Sequence, residues 1–368
     1  MNEEKRLPIA IAGLGFGESV HLPALKSSKI LKPFAIWHPR ENRLNESCKN
    51  NGLIGFKEWT SLIKDKNIKG IIIATPPSVR YQLAKEALEA GKHLLLEKPV
   101  GLNEEEVQEL QRLSIRRNLI VAVDFEYRAV PLFMQAKRII NEGKLGKVWL
   151  IKLDWLMSSR ANQSRPWNWY SNKEEGGGVI GALGTHAFDI LHWFFGPTVS
   201  ISSLISTSIK NRDCSQTNKS KLVTSEDTCI SQAEILDNIN GSDENIIAQI
   251  NLSSVTRNGR GCWIEIYGSK GTLILGSDNQ KDYVHGFGLW LSQNDGPLKN
   301  ITADQDLTFA KTWKDGRIAP VARIQNWWAK SITENTPMIP GLAEAALSQK
   351  VCDKVNVSAQ AGLKVNFE

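Results

Sequence analysis

Between residues 7 and 125, short apolar runs alternate with helix-compatible stretches, and this alternation most narrows what the chain can fold into. The runs are "LPIAIA", "KPFAIW", "GIIIA", "HLLLE" and "LIVAVDF". Between them lie "HLPALKSSKI", "NRLNESCKNN", "SVRYQLAKEALEA" and "NEEEVQELQRLSIRRN". Strands that are apolar throughout, each followed by a helix, predict a parallel sheet covered on both faces. Local signals agree. Leu83, Ala84, Ala87 and Leu88 share one helical face, with Gly91 placed as a C-cap. "NEEEVQELQRLSIRRN" carries acids in its first turn and basic residues in its last, which suits the helix dipole.

The first run ends in Gly13, Gly15 and Gly17, with Phe16 between the last two. A strand feeding a glycine turn is a usual receptor for a dinucleotide pyrophosphate, held at the following helix N-terminus. The third glycine of that fingerprint is Glu18 here, with Gly17 one place early, so an ordinary strand–turn–helix stays open on the turn alone. An acid commonly stands about 20 residues further on, for the ribose 2′-hydroxyl. The second run ends instead in "AIWHPRENR", with His38, Arg40 and Arg43 and no acid at that place. An arginine suits a 2′-phosphate, so the expected coenzyme is NADP, with NAD as the second choice. Plain solvated loop residues at 38 and 40 are the alternative.

Beyond residue 127 the pattern changes. "VWLIKLDWL" reads as a strand, "ANQSRPWNWYSNKEE" as a loop rich in arginines and aromatics, and 199–275 as antiparallel strands joined by turns. "IKNRDCSQTNKSK" is polar enough for a mobile loop. "APVARIQNWWAKSITEN" and "GLAEAALSQKVCDKVNVSAQ" read as closing helices that pack back on the first domain. With 368 residues, two domains are the default; the expected division is 1–127, binding the dinucleotide, and 128–368, for substrate and oligomer contacts.

Composition excludes several classes. Lys and Arg number 45 and Asp and Glu 39, interleaved, so no basic stripe marks a nucleic-acid binder. No apolar run approaches the ~18 residues of a membrane span, and the charged start followed by "LPIAIAGLG" is no signal peptide. Five dispersed cysteines without close pairs fit reduced thiols, so a cytoplasmic location is expected, with no metal site.

Nearly the whole chain resembles the glucose–fructose oxidoreductase/inositol dehydrogenase (Gfo/Idh/MocA) family. The matching pieces are "AIAGLGFGESVHLPAL", "IIIATPPSVRYQLAKEALEAGKHLLLEKPV", "VDFEYRAVP", "GGGVIGALGTHAFDILHWFFG", "IEIYGSKGTLIL" and "ALSQKVCDKVNVSAQAG". The resemblance implies an α/β fold: an N-terminal Rossmann domain with a doubly wound parallel sheet, then an α/β domain whose open, mostly antiparallel sheet mediates homo-dimer or homo-tetramer contacts. It implies an NAD(P)-dependent oxidoreductase acting on a CH–OH group of a sugar, sugar derivative or polyol. Coenzyme contacts are then expected from Gly13, Gly15, Phe16, Gly17, His38, Arg40, Thr75, Pro76, Glu97 and Lys98.

Glu97, Lys98 and Pro99 match the family's Glu-Lys-Pro, whose lysine lies beside the nicotinamide, and Lys98–Pro99 is a candidate cis peptide. An ammonium at a parallel strand's carboxyl end can stabilise a developing alkoxide; a solvated strand-end lysine is the alternative. His186 matches the family's general base, a role suited to a group that titrates near neutrality. Asp189 shares its helical face and is expected to hold substrate or fix the imidazole. On residue types alone, a satisfied core histidine is the competing reading. Arg128, Arg165 and Trp167 are candidate substrate contacts, with an aromatic anchor for a long loop as the alternative at Trp167. Gly176–Gly178 are expected to let the chain enter the helix beneath the nicotinamide, so that Gly178→Val loses binding but stays folded. Ala182 departs from the pattern: many members carry Asp there. A nucleotide-sensing regulatory protein with little or no turnover is therefore the second functional reading.

Overall fold

The computed structural model describes residues 6–215, 217, 219–239, 244–279 and 282–367 of the 368. The chain divides into two compact units. One comprises Met1–Ala129 with Lys311–Ala346, the other Val130–Ala310 with Leu347–Glu368.

In the first unit the strands β1 (Leu7–Ala12), β2 (Leu31–Trp37), β3 (Ile54–Phe56), β4 (Gly70–Ile73), β5 (His93–Leu96) and β6 (Val121–Val123) form one sheet in the order β3-β2-β1-β4-β5-β6. Every neighbouring pair is parallel. The helices are α1 (Leu22–Lys26), α2 (Glu41–Asn51), α3 (Trp59–Lys64), α4 (Pro77–Glu89) and α5 (Glu104–Arg117). Their ends follow local chemistry. Asn103 caps α5 by accepting from the Glu106 backbone N–H, and left-handed Gly52 and Asn118 follow α2 and α5. Both faces of the sheet are buried, as apolar parallel strands require. One face packs Ile71, Ile73, Leu94 and Leu96 against Ala84, Leu88, Val107 and Leu110. The other packs Ile9, Ile11, Ile72 and Leu95 against Leu22, Leu25, Ile324 and Trp328. The short β3 and α3 are absent from the sequence expectations, because three and six residues are too few to show a period.

The second unit begins with α6 (Pro131–Asn141), β7 (Val148–Leu156) and α7 (Thr185–Phe194). The strands β8 (Thr198–Ser206), β9 (Asn211–Cys214), β10 (Lys219–Leu222), β11 (Thr228–Ile235), β12 (Ile246–Ser253), β13 (Gly261–Gly268) and β14 (Gly271–Ser277) follow. Then come α8 (Tyr283–Gly286), β15 (Gly288–Gln293), β16 (Lys299–Asn300) and β17 (Val365–Asn366). Two longer helices, α9 (Ile318–Glu334) and α10 (Leu342–Ala361), complete the chain; α9 lies within the first unit. Nine strands form one sheet, β16-β15-β14-β13-β7-β12-β11-β8-β17, with β7·β12 parallel and the other pairs antiparallel. The polar stretch expected to be a mobile loop is instead an antiparallel hairpin, Asn211–Leu222 pairing across to Cys214–Lys219; Gln216 and Asn218 lie outside the described residues.

One face of the nine-stranded sheet is open. The register places Leu204, Ile230, Ile247, Leu150, Trp263 and Trp290 on it. Trp263 lies where a Cβ at Gly276 would be, and Trp290 covers Gly288 in the same way. The two indoles stack, with centroids 5.8 Å apart. Glycine beneath each ring lets the aromatics lie flat on the pleat.

Candidate active site

The glycine turn after β1 has three different physical tasks. Gly13 sits at φ +104°, and a Cβ there would lie 2.6 Å from the Ala74 carbonyl, so only glycine fits. Around Gly15, which is exposed, nothing stands within 4 Å of where a Cβ would project. That clearance is what a coenzyme phosphate close to the backbone needs. Gly17 lies close against the sheet: a Cβ there would stand 3.0 Å from Ile11 Cγ2, the close strand packing expected of the motif's third glycine. The helix starts with a π-turn, Gly17–His21, so the one-residue displacement still brings a glycine against the strand. Phe16 lies between Arg317, whose guanidinium is 5.3 Å from its ring centroid, and His21, packed edge-on.

At the end of β2 the His38 ring accepts the Arg40 backbone N–H (3.1 Å). Burial, and then the nearby Arg43 and Arg40, lower its pKa. Arg40 and Arg43 are exposed, and the acid that follows, Glu41, pairs with Lys57 at 3.2 Å.

Arg80 was not singled out in the sequence, yet it organises this edge. Its guanidinium is buried and donates to the carbonyls of Thr75, Glu97 and Pro99, tying the turn after β4 to the turn after β5. Burial pulls its pKa down to about 10, with Glu97 opposing. Its spacing was a usable signal: Arg80, Ala84 and Ala87 lie at i, i+4 and i+7, on the buried face. Thr75 Oγ1 is buried and has no hydrogen-bond partner among the described residues. The clearance at Gly15 and this orphaned hydroxyl, following the neighbouring strands β1 and β4, both fit a dinucleotide.

Lys98 follows β5, half-buried, and Lys98–Pro99 is cis. Glu97 is buried and accepts from His21 Nε2 (2.9 Å) and the Lys98 backbone N–H (3.3 Å). Glu126 lies in a short 3₁₀ turn, Glu126–Ala129, together with buried Arg128. Burial raises the Glu126 carboxyl to about 7, with Lys98 pulling it down and Glu97 pushing it up.

In the second unit, His186 and Asp189 lie three residues apart on α7, 3 % and 1 % exposed. The imidazole stacks on Trp155 of β7, with centroids 6.1 Å apart. A π-turn, Ile180–Gly184, leads into this helix too, and Ala182 lies in it. The preceding glycines answer to the protein itself. Gly178 is at φ +107°, and a Cβ there would lie 2.1 Å from the buried Glu226 carboxylate, which accepts the Ile180 N–H at 2.9 Å. A Cβ at Gly177 would meet the Tyr170 carbonyl at 2.3 Å. The expectation that Gly178→Val acts through binding alone therefore gains a second effect, a loss of stability. A β-branched residue at this φ costs about 1–3 kcal/mol before displacing Glu226. Gly178→Val should lower the melting temperature by roughly 10 °C; a thermal scan matching the wild type would contradict this.

The loop 157–175 carries the remaining candidates. Trp167 Nε1 donates to the Leu222 carbonyl (3.0 Å), and Lys221 lies 3.4 Å from its ring centroid, so the indole takes part in packing the loop on β10. Exposed Arg165 donates to the Ser159 carbonyl. Buried Arg212, not noticed in the sequence, donates to the Arg160, Asn162 and Arg165 carbonyls and holds the loop from below.

Comparison with known proteins converges on one lineage. Residues 7–125 match the model described as "Oxidoreductase family, NAD-binding Rossmann fold", and residues 137–367 match "Oxidoreductase family, C-terminal alpha/beta domain", both of GFO_IDH_MocA. The chain belongs to the Gfo/Idh/MocA oxidoreductase family. Across 355 residues it is 41 % identical to an uncharacterized oxidoreductase of Synechocystis sp., covering 96 % of this chain and 94 % of that one. Levoglucosan dehydrogenase of Pseudarthrobacter phenanthrenivorans is 31 % identical over 156 residues, covering 42 % of this chain and 40 % of that one. A solved levoglucosan dehydrogenase in complex with NADH and L-sorbose superposes with a TM-score of 0.87 at 21 % identity, covering 99 % of both chains. An oxidoreductase domain protein from Kribbella flavida does so with a TM-score of 0.87 at 19 % identity, covering 99 % and 100 %. Among the described residues of this family member, no helix is long and apolar enough to cross a membrane.

Proposed function

We propose that this family member transfers hydride between a nicotinamide and a CH–OH carbon of a sugar, sugar derivative or polyol. The bound coenzyme supplies the hydride acceptor or donor. Lys98 donates to the substrate oxygen and stabilises its developing negative charge. His186 exchanges the hydroxyl proton. Asp189, Arg165, Trp167 and Arg128 hold the substrate. The observation that carries the reading is the set of turns at the strands' carboxyl ends in the Rossmann sheet: an open glycine turn, with the lysine's strand-end turn clamped by buried Arg80.

For the coenzyme, the reading is NADP. Exposed Arg40 and Arg43 stand at the end of β2, with the following acid already paired to Lys57. Charge-assisted bonds to a 2′-phosphate are worth about 1.5–3 kcal/mol. Arg40→Ala should therefore weaken NADPH binding about tenfold or more and leave NADH binding unchanged. Fluorescence titration reads both; a wild type that prefers NADH tenfold would defeat the NADP assignment. On the same reading the division of labour is residues 1–127 for coenzyme and 128–368 for substrate and assembly, in a cytoplasmic enzyme. The open sheet face with its stacked Trp263 and Trp290 seats a second copy of the chain.

One observation favours a second reading. Ala182 offers no carboxylate one turn before His186. A nucleotide-sensing protein without turnover would need none. Stopped-flow absorbance at the nicotinamide band, with a panel of sugars and uronic acids, separates the two. Turnover with any member supports the enzyme. Tight NADPH binding with no turnover across the panel supports the sensor.

A further inference from the structure

A buried set of groups around Glu97, within reach of the Lys98 charge, takes no part in the proton and hydride steps above. His21 and Asp124 are both 0 % exposed. His21 Nε2 lies 2.9 Å from Glu97 Oε1 and 3.6 Å from Asp124 Oδ2. These are donor types that a divalent metal accepts, and their ligand atoms lie within 4.8 Å of one another. The other ring nitrogen decides against a metal. Gln325 Nε2 donates to the His21 carbonyl at 3.1 Å and faces His21 Nδ1 at 3.3 Å. The carbonyl fixes the amide that way round, so Nδ1 accepts and Nε2 carries the ring proton. A nitrogen bearing a proton has no lone pair for a metal; it donates to Glu97.

Asp124 poses a different problem. As a carboxylate it would bury two oxygens with no donor among the described residues within hydrogen-bond reach. As a carboxylic acid it has an O–H to give, and the Glu97 carboxylate, with an oxygen within 4.8 Å, is the acceptor at hand. Burial, the charges of Glu97 and Glu126, and that hydrogen bond all raise the Asp124 carboxyl well above its usual range, with Lys98 opposing. Glu97 goes the other way. Burial resists its ionisation, while the hydrogen bond from His21 and the positive charge around it, Lys98 and Arg80 included, hold it below its usual range. The charged and titratable groups facing this pair come from four places: His21 before α1, Arg80 on α4, Lys98 after β5 and Glu126 on the 3₁₀ turn; Gln325 on α9 faces His21.

We infer that Asp124 is a neutral carboxylic acid, and that Asp124 and His21 are positioning residues whose O–H and N–H fix the Glu97 carboxylate, which anchors the backbone N–H of Lys98. The positioning half rests on Lys98 working at the substrate, as proposed above; the protonation half does not. Infrared difference spectra of the full chain, wild type minus Asp124→Asn, test the second directly. At about pH 8.5 Glu126 is ionised, since its carboxyl titrates near 7. The protonated-carboxyl C=O band is expected in the wild type and missing from Asp124→Asn. A wild type lacking the band overturns the inference, whatever the activity.

Steady-state kinetics with NADPH or NADP and the sugar panel test the positioning half. Asp124→Asn gives Glu97 an N–H in place of the O–H and should keep turnover close to wild type. Asp124→Leu gives none, and kcat should fall about 100-fold with KM little changed, the scale of a misplaced reacting group. His21→Gln and His21→Leu should split the same way. Equal losses in the Asn and Leu variants overturn the positioning role. Lys98→Met keeps the two failures apart: wild-type turnover there defeats the reading of Lys98 and with it the positioning half, while the infrared band decides the protonation half alone.

Discussion

Lys98→Met is expected to lower kcat by about 10²–10³, the scale of losing one charge-stabilising donor. Methionine keeps the length and the aliphatic stem but offers neither charge nor N–H. Coenzyme affinity should change little, because the glycine turn and the Arg80 clamp stay intact. A second signature follows from the buried carboxyls. Burial raises Glu126 to about 7 and Lys98 is the main group pulling it back. Without that cation the Glu126 carboxyl rises further, so any limb of the pH–rate profile that reports Glu126 moves to higher pH. Steady-state kinetics across pH on the wild type and Lys98→Met measure both effects. Wild-type turnover in the variant removes Lys98 from the reaction.

His186→Ala should cost at least ~100-fold in turnover, the lower end of general acid–base help. The imidazole is buried against Trp155, so truncation also opens a cavity. His186→Asn controls for this, because it fills more of the space and cannot shuttle a proton. If proton transfer is the role, both variants lose turnover alike, while Asn loses less stability in a thermal scan. Full turnover in His186→Asn would return His186 to the core-residue reading.

Much of the first unit was legible because its signals are local. Apolar runs of five to seven residues with helices between them marked the parallel sheet, and Gly91, at positive φ in the structure, marked a helix end. Gly13 is needed at positive φ whatever packs around it. Where the signal was short or polar, expectation failed. Ile54–Phe56 has too few residues to show a period, and Asn211–Leu222 is polar because its hairpin is largely exposed. The helix phase at both glycine-rich starts was also invisible, since a π-turn shifts it without any residue that announces the change.

The amino-acid order by itself determined the α/β class, the glycine turn, the family and the strand-end lysine, because each shows in short runs of neighbouring residues, however far apart those runs stand. Tertiary structure alone decided that Gly178 yields to Glu226, that Arg80 clamps two turns, and that Asp124 keeps its proton while Glu97 loses its own. The reason is physical. The cost of a side chain's volume or charge is set by the groups folding brings against it, and for His21, Glu97, Asp124 and Gln325 those come from segments up to 304 residues apart.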